Sequence, residues 1–507
     1  MGSDSLRSNI FYIRADANLK IGTGHIMRCI ALAQIWQDQG GEVTFISHCE
    51  SEAIKERITQ EGFQLITVEN PHPHPDDLSR TLEYLKLHSP TWLVLDGYHF
   101  TSEYQKAIRD AGIRLLVIDD MNHLPCYHTD ILLNQNIHAA DLKYHCDDDT
   151  TFLLGTRYVL LRREFLKYLD FKRQIPDRAK NILVTLGGTD PYNVTLKVIK
   201  ALKLIKDSEI EVKIVIGPAN PHHDILVRAL ASSYFVLDLF FNPPNMPELM
   251  AWADLAISGG GSTSWELAFM GLPSLLILLA ENQVELVQQM EVQRSIVNLG
   301  WHNSFTERQL CQKAKSLIHN EILRKSMSEN VSSFVDGQGA SHVTKAMRGK
   351  LITLRRATYD DCDLLWQWSN EKETRQASFF QKPISWDKHL QWFKEKLSDT
   401  NHVFFIALNG NRSPLGQIRY AIEGSKATVS FSIAPESRNL GYGSGLLRVA
   451  AKILFDETGV EEILAFVKAE NLISLKAFKK AGFKQTEELS LHGIKSYKFI
   501  LRKTELT

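Results

Sequence analysis

Gly22-Thr23-Gly24-His25 follows the strand-like run Phe11-Tyr12-Ile13-Arg14-Ala15-Asp16. Glycines at a strand-to-helix turn let backbone N–H groups approach an anion closely, and the helix start adds a favourable field for phosphate. A histidine closing such a turn can point into the site and exchange a proton near neutral pH. The combination suits a site that holds a phosphorylated substrate and does acid–base work on it. The same residues also suit a plain glycine turn with a histidine at a helix start, and spacing leaves both readings open.

Similar turns recur. Ile182–Leu186 runs into Gly187-Gly188-Thr189-Asp190, and Ile257-Ser258 runs into Gly259-Gly260-Gly261-Ser262-Thr263. Three glycines followed by hydroxyls that open a helix offer N–H donors and a dipole to a pyrophosphate. Glu266 falls one turn into that helix, where it could accept hydrogen bonds from a ribose diol, although Thr263-x-x-Glu266 is also a capping box. Near the other end, Arg438-Asn-Leu-Gly441-Tyr-Gly443-Ser-Gly445 separates the strand-like Ala427–Ala434 from an apolar helical run, Leu446–Phe455. It reads as a further phosphate turn lined by backbone amides.

These turns need elements to hold them. Strand-like runs at 43–47, 64–68, 92–95, 114–118 and 131–133 alternate with amphipathic helices. Such alternation predicts βαβ units and a parallel sheet with helices on both faces. After a charged stretch at 170–180, a second series begins at 181–186, 211–216, 235–239, 255–258 and 274–278. The expected architecture is α/β: two Rossmann-like domains over 9–175 and 178–334, a linker at 335–350, and a smaller α/β domain over 351–503. Sheets of this kind bind ligands outside the carboxyl ends of their strands.

Composition narrows the function class. The 507 residues are 44% hydrophobic and 23% charged, with a net charge of −1, which describes an ordinary soluble enzyme and argues against a nucleic-acid partner. The six cysteines are scattered with no Cys-x-x-Cys pair, as expected of free thiols in a reducing cytoplasm without a structural zinc. No metal is expected elsewhere, since the prolines of Pro71-His-Pro-His-Pro75 make that pair of histidines a stiff loop. Met1–Ser8 is too short and polar for a signal peptide. No apolar run approaches the roughly 18 residues of a membrane span.

The motifs also carry a resemblance. Arg14-x-Asp16, Ile21-Gly-Thr-Gly-His25-x-x-Arg28, Asp96-Gly-Tyr98, Asp119-Asp120, Gly155-x-x-Tyr158, Leu161-Arg162-x-x-Phe165, Gly187-Gly188-x-Asp190, Ser258–Glu266 and Glu281-Asn282-Gln283 resemble the UDP-2,4-diacetamido-2,4,6-trideoxy-β-L-altropyranose hydrolases of pseudaminic acid synthesis. That family is similar in fold to the lipid II-forming N-acetylglucosaminyltransferase, a GT-B arrangement. The resemblance implies UDP on the second domain, with Glu266 on the ribose and Gly260, Ser262 and Thr263 on the phosphates. It implies His25 as the base that activates water. Arg14, Asp16, Gly22, Gly24, Tyr98, Gly188 and Asn282 are the further substrate-binding candidates. Asp16, Asp96 and Asn134 are alternatives for orienting the imidazole or the sugar. UDP is already a good leaving group, so fixed N–H dipoles would suffice to stabilise its developing charge.

From about 352 to 502 the chain resembles the GCN5-related N-acetyltransferases, through Arg438-x-x-Gly441-x-Gly443, Asn471-x-x-Ser474 and Ala481-Gly-Phe483. The resemblance implies acetyl-CoA as co-substrate. Arg438, Gly441, Gly443 and Gly445 would hold its pyrophosphate, and Asn471 and Ser474 would lie beside its arm near strand Val429–Ile433. Many relatives place an acid tyrosine where this chain has Phe478, so acid catalysis from that position is ruled out. Leu354–Ala357, Trp366-x-Trp368-x-Asn370-Glu371 and His389-x-x-Trp392-Phe393 resemble the subgroup that acetylates UDP-4-amino-4,6-dideoxy-sugars. Those tryptophans suit stacking on uracil and also simple helix packing. The fusion implies consecutive steps on one nucleotide sugar, acetylation and then hydrolysis, with the linker raising the effective concentration of the second site. The rival reading is a GT-B glycosyltransferase fused to a protein or small-amine acetyltransferase.

Overall fold

The computed structural model describes residues 10–18, 21–88, 90–230, 233–410, 412–438 and 441–506. The leader reading of Met1–Ser8 lies outside the described residues, as do Asn439 and Leu440 of the late glycine turn. The chain divides into two compact units, Met1–Thr344 and Lys345–Thr507.

The first unit holds two sheets. Strands β1 (Ile10–Ala15), β2 (Glu42–Ser47), β3 (Gln64–Thr67), β4 (Trp92–Asp96), β5 (Leu115–Ile118), β6 (Ile131–Asn134) and β7 (Thr151–Leu154) form one, in the order β3-β2-β1-β4-β5-β6-β7. Every pairing is parallel. Strands β8 (Asn181–Thr185), β9 (Glu211–Ile216), β10 (Val236–Phe241), β11 (Leu255–Gly259), β12 (Ser274–Leu278) and β13 (Val297–Trp301) form the second, also parallel, in the order β10-β9-β8-β11-β12-β13. Central strands such as β5 and β12 are buried throughout, as continuous apolar runs covered on both faces require. Strand order reverses at β1/β4 and at β8/β11, so a crevice opens where the glycine turns follow β1, β8 and β11.

The second unit is built on β14 (Ile352–Arg356), β15 (His402–Asn409), β16 (Pro414–Glu423), β17 (Lys426–Ile433), β18 (Glu462–Lys468), β19 (Lys484–Leu491) and β20 (Ile494–Arg502), in the order β14-β15-β16-β17-β18-β20-β19. Strands β17 and β18 are parallel, pairing only over Lys426–Thr428 and Glu462–Leu464. Beyond those three pairs the two strands no longer pair.

Three differences from the sequence reading stand out. Strands β7 and β13 lie at sheet edges and are additional to the expected series. The segment 335–350, expected as a linker, is helical from Gly339 to Gly349. Ala340, Val343 and Met347 are buried at helical spacing, and it contains no proline to stop a helix.

Candidate functional site

Because β1 lies beside β4 with Ala15 opposite Asp96, the turn after β1 faces the carboxylate that ends β4. His25 Nδ1 is 2.6 Å from Asp96 Oδ1. Arg28, one turn along the helix Gly24–Asp38, donates Nε to Asp96 Oδ2 and Nη2 to Oδ1, both at 2.7 Å. Its Nη1 reaches Asp120 Oδ2 at 2.8 Å. Asp120 also accepts from the Tyr98 hydroxyl at 2.5 Å and from Asn136 Nδ2 at 2.8 Å. The Tyr98 oxygen in turn accepts from Asn282 Nδ2 at 3.0 Å. One chain of hydrogen bonds therefore runs from His25 to a residue of the second sheet's domain.

Electrostatics fix the proton positions. Burial works against the Asp96 carboxylate, but the charge of Arg28 and then that of His25 outweigh it and hold its pKa well below the usual range. A carboxylate can only accept, so His25 Nδ1 is the donor, and in the neutral form of the ring the lone pair falls on Nε2. Burial, reinforced by Asp120, pushes the Tyr98 phenol far above its ordinary pKa and keeps it protonated. Burial also opposes the Arg28 charge, but Asp120 and Asp96 overcome it.

The glycine turns converge on this place. A Cβ on Gly188 would overlap the Thr23 side chain, and one on Gly24 would sit 3.2 Å from Ser262 Oγ. Thr23 makes no side-chain cap on its helix, so the first N–H groups there are left for another acceptor. On the other wall, Gly260 N–H goes to Ile277 O at 3.0 Å. Among the described residues no backbone carbonyl takes the N–H of Gly261, Ser262 or Thr263. The arrangement can bind an anion between two sets of amides with an imidazole lone pair beside it.

Other candidates are placed differently. Arg14 is completely buried, and its guanidinium is spent on Asp16, Asp77 and the Ile46 carbonyl. Asp16 also accepts His48 N–H at 2.7 Å and faces His99 Nε2 at 3.0 Å. Burial opposes its charge, yet the His99 bond and Arg14 draw its pKa down to about 2. Arg14 and Asp16 thus brace the loop after β1, which corrects their expected place on the substrate. Gly22 shapes the turn, with φ +80° and its N–H on Asn18 O at 2.8 Å. Of the alternatives for orienting the imidazole, Asp96 does so, while Asn134 is held by Tyr144 and Asn136 N–H.

Glu266 does not form the capping box. Its Oε1 accepts Arg162 Nε and Nη2 at 3.0 and 2.8 Å. Burial raises its pKa despite Arg162. The sequence reading gave no role to Arg28, Asp120 or Arg162, although each stood in a quoted motif. An arginine one helical turn after the histidine was the available signal.

In the second unit, Gly441 has φ +80° and starts the helix Tyr442–Glu457, in which Gly443 and Gly445 lie. The Arg438 side chain donates to Glu371 Oε2 at 2.5 Å, Glu373 Oε2 at 2.6 Å and Thr374 Oγ1 at 2.9 Å. The Arg438 bond holds the Glu371 acid down at about 2. Asn471 Oδ1 accepts Ser474 N–H at 3.1 Å and caps the helix Leu472–Lys480. The Arg438 and Asn471 side-chain groups expected on a cofactor thus have protein partners, whereas Ser474 gives only its backbone N–H to the Asn471 cap. Phe478 is buried against Phe431, Phe483 and Phe499. Trp366 donates to Ile384 O at 2.8 Å and meets Trp386 edge-on, the packing role. Among the described residues no cluster could hold a metal ion, and no helix is long and apolar enough to cross a membrane.

Residues 181–341 match the glycosyltransferase family 28 C-terminal domain, and residues 352–484 match the acetyltransferase (GNAT) domain. An uncharacterized protein of Methanocaldococcus jannaschii is 24% identical over 490 residues, covering 94% of this chain and 97% of the relative. The spore coat polysaccharide biosynthesis protein SpsG of Bacillus subtilis is 25% identical over 340 residues, 66% of this chain and 97% of that protein. The UDP-2,4-diacetamido-2,4,6-trideoxy-β-L-altropyranose hydrolase of Campylobacter jejuni is 24% identical over 277 residues, 53% of this chain and 92% of the hydrolase. The chain is an enzyme that joins two Rossmann-like domains of the GT-B kind to a GNAT acetyltransferase domain.

Proposed function

We propose that the chain N-acetylates a UDP-4-amino-4,6-dideoxy-sugar from acetyl-CoA and then hydrolyses the resulting UDP-2,4-diacetamido-2,4,6-trideoxyhexose to free sugar and UDP. The setting is the biosynthesis of pseudaminic acid or a related nonulosonic acid, in the cytoplasm, with no metal required. The observation that carries the reading is the His25–Asp96 pair at the meeting point of three glycine turns.

In the hydrolytic step, Nε2 of His25 takes a proton from water as the water oxygen bonds to the anomeric carbon and the bond to the UDP oxygen breaks. Asp96 holds the imidazole in the required tautomer and stabilises the imidazolium that forms. The leaving diphosphate gains charge against the free N–H groups of the Gly259–Thr263 turn. Glu266 accepts from the ribose, and Asn282 and Tyr98 bound the sugar. In the acetyl-transfer step, the pantetheine arm lies where β17 and β18 no longer pair, with its pyrophosphate on the backbone of the Gly441–Gly445 helix start. The sugar amine attacks the thioester carbonyl, the C–S bond breaks, and the proton shed by the amine nitrogen ends on the departing CoA sulfur. Phe478 supplies no proton to that sulfur.

The family 28 match favours one second reading, sugar transfer to an acceptor. Mass spectrometry of the chain incubated with UDP-4-amino-4,6-dideoxy-β-L-AltNAc, with and without acetyl-CoA, tests both. Free diacetamido-sugar, UDP and CoA formed only with acetyl-CoA is the expected outcome. Acetylated nucleotide sugar that persists without UDP release refutes the hydrolytic half.

A further inference from the structure

Arg419 on β16 carries a guanidinium with no acceptor. It lies 5.0 Å from the Trp392 ring and 5.9 Å from that of Phe404, and among the described residues it makes no hydrogen bond or ion pair. Arg375, in the helix Lys372–Ala377, donates only to Phe380 O at 3.1 Å and Ser378 Oγ at 3.2 Å. Its Nε is buried without a partner. Neither arginine pairs with a carboxylate, because Glu371 and Glu373 are taken by Arg438. Burial, and then the charge of Arg375, push Arg419 down to about 10. Two like-charged guanidinium groups, each half-buried and left without a carboxylate, oppose one another unless an anion joins them.

A third group shares the face. Gln417 lies two residues before Arg419, about 7 Å along the same side of the strand. It is 6% exposed, and its Oε1 has no partner. The intervening Ile418 and following Tyr420 point the other way, into the core beneath the helix Tyr442–Glu457. The Gly441–Gly445 helix start thus serves one face of the sheet, and the arginines serve the other.

We propose that Arg375 and Arg419 bind the diphosphate of the nucleotide-sugar acceptor, with the Gln417 carbonyl accepting an N–H of the sugar. This rests on the acetyl-transfer reading above and names the part of the acceptor it recognises. Arginine's fork suits two phosphate oxygens at once. Trp392 and Phe404 hold the Arg419 group flat without competing for its donors.

The test is steady-state acetyl transfer by the full chain carrying Arg419→Gln or Arg375→Gln, followed as CoA thiol release. Each variant should raise KM for the UDP-4-amino-sugar roughly 10- to 100-fold and leave KM for acetyl-CoA within about twofold. Inorganic pyrophosphate should inhibit the wild type competitively against the sugar and lose that effect by a similar factor in the variants, with Arg419→Lys restoring part of it. Unchanged KM for the nucleotide sugar, or an equal rise for acetyl-CoA, overturns the proposal. Arg375 is partly exposed, so Arg375→Gln carries the test if Arg419→Gln fails to fold. A wild type that acetylates no UDP-amino-sugar refutes the functional reading. Pyrophosphate inhibition against whatever amine it does acetylate then still decides whether the arginines bind a diphosphate.

Discussion

Asp96→Asn separates the tautomer argument from mere burial. Asp96 is fully buried and accepts three charge-assisted hydrogen bonds, from His25 Nδ1 and from Nε and Nη2 of Arg28. An amide of the same shape keeps an oxygen for one or two of these bonds but loses the charge and brings two donors of its own. Arg28 then has Asp120 as its only ion partner. Charged hydrogen bonds are worth about 1.5–3 kcal/mol against about 1 for neutral ones, so the fold should lose about 2–4 kcal/mol and remain folded at room temperature. The kinetic loss is larger. Without the carboxylate, Nδ1 no longer has to carry the proton, and the tautomer with Nε2–H has no lone pair to offer water. Loss of general-base catalysis is worth about 10²–10⁴ in rate. UDP release from the diacetamido nucleotide sugar should fall by that factor while CoA release in the acetyl-transfer assay stays at the wild-type rate, since Asp96 belongs to the first unit alone. A folded Asp96→Asn chain that hydrolyses within about threefold of wild type refutes the reasoning. So does a His25→Ala chain that keeps full activity.

Other consequences follow from the same geometry. Gly188→Ala places a Cβ on the Thr23 side chain, a close approach with no flexible end to yield. Hydrolysis should fall at least tenfold and stability by about 1–3 kcal/mol, both largely recovered with Thr23→Gly; denaturant midpoints and UDP release read the pair. Asn282→Ala removes the donor to Tyr98 across the crevice. It should raise KM for the nucleotide sugar about tenfold, at a stability cost near 1 kcal/mol. Asp16, with its pKa drawn down to about 2, contributes stability that is complete above the unfolded carboxylate's value near 4 and is lost as pH falls toward 2. Unfolding free energies from urea titrations at pH 5 and pH 2.5 should differ by about 2 kcal/mol more in wild type than in Asp16→Asn.

Most of the fold is legible because hydrophobic period and burial agree. The central runs 92–95, 114–118, 131–133, 255–258 and 274–278 are apolar but for Arg114, Ser258 and Ser274 at their ends, and each sits mid-sheet. Two of the four edge strands in the first unit lose that signal. β7 exposes Phe152, and β13 is only half-buried, with Gly300 at φ +84° breaking its pattern. The helix Gly339–Gly349 escaped because glycine and serine around it suggested a linker. Its apolar triplet Ala340, Val343 and Met347 finds a partner only in the folded core.

The site was legible as positions and not as partnerships. His25 and the glycine turns stand out because their chemistry is local, carried by a few adjacent residues and the helix they open. Asp16 and Asp96 look alike in the sequence, each an aspartate at the end of an apolar strand. They diverge because the sheet order puts β4, not β3, beside β1, so Asp96 meets the imidazole while Asp16 meets Arg14 and His99. Arg28 decides the outcome. Placed one turn after His25, it reaches both Asp96 and Asp120, offsets one of their two charges, and leaves the imidazole as the group in the network whose second nitrogen is open to a proton. The same logic separates Arg438 from Arg419 in the second unit. The arginine inside the phosphate motif is consumed by Glu371 and Glu373, whereas the one on an ordinary strand face is left with an aromatic floor and no acceptor. A motif predicts where a backbone can receive an anion; only the count of satisfied charges shows which side chains remain to bind one.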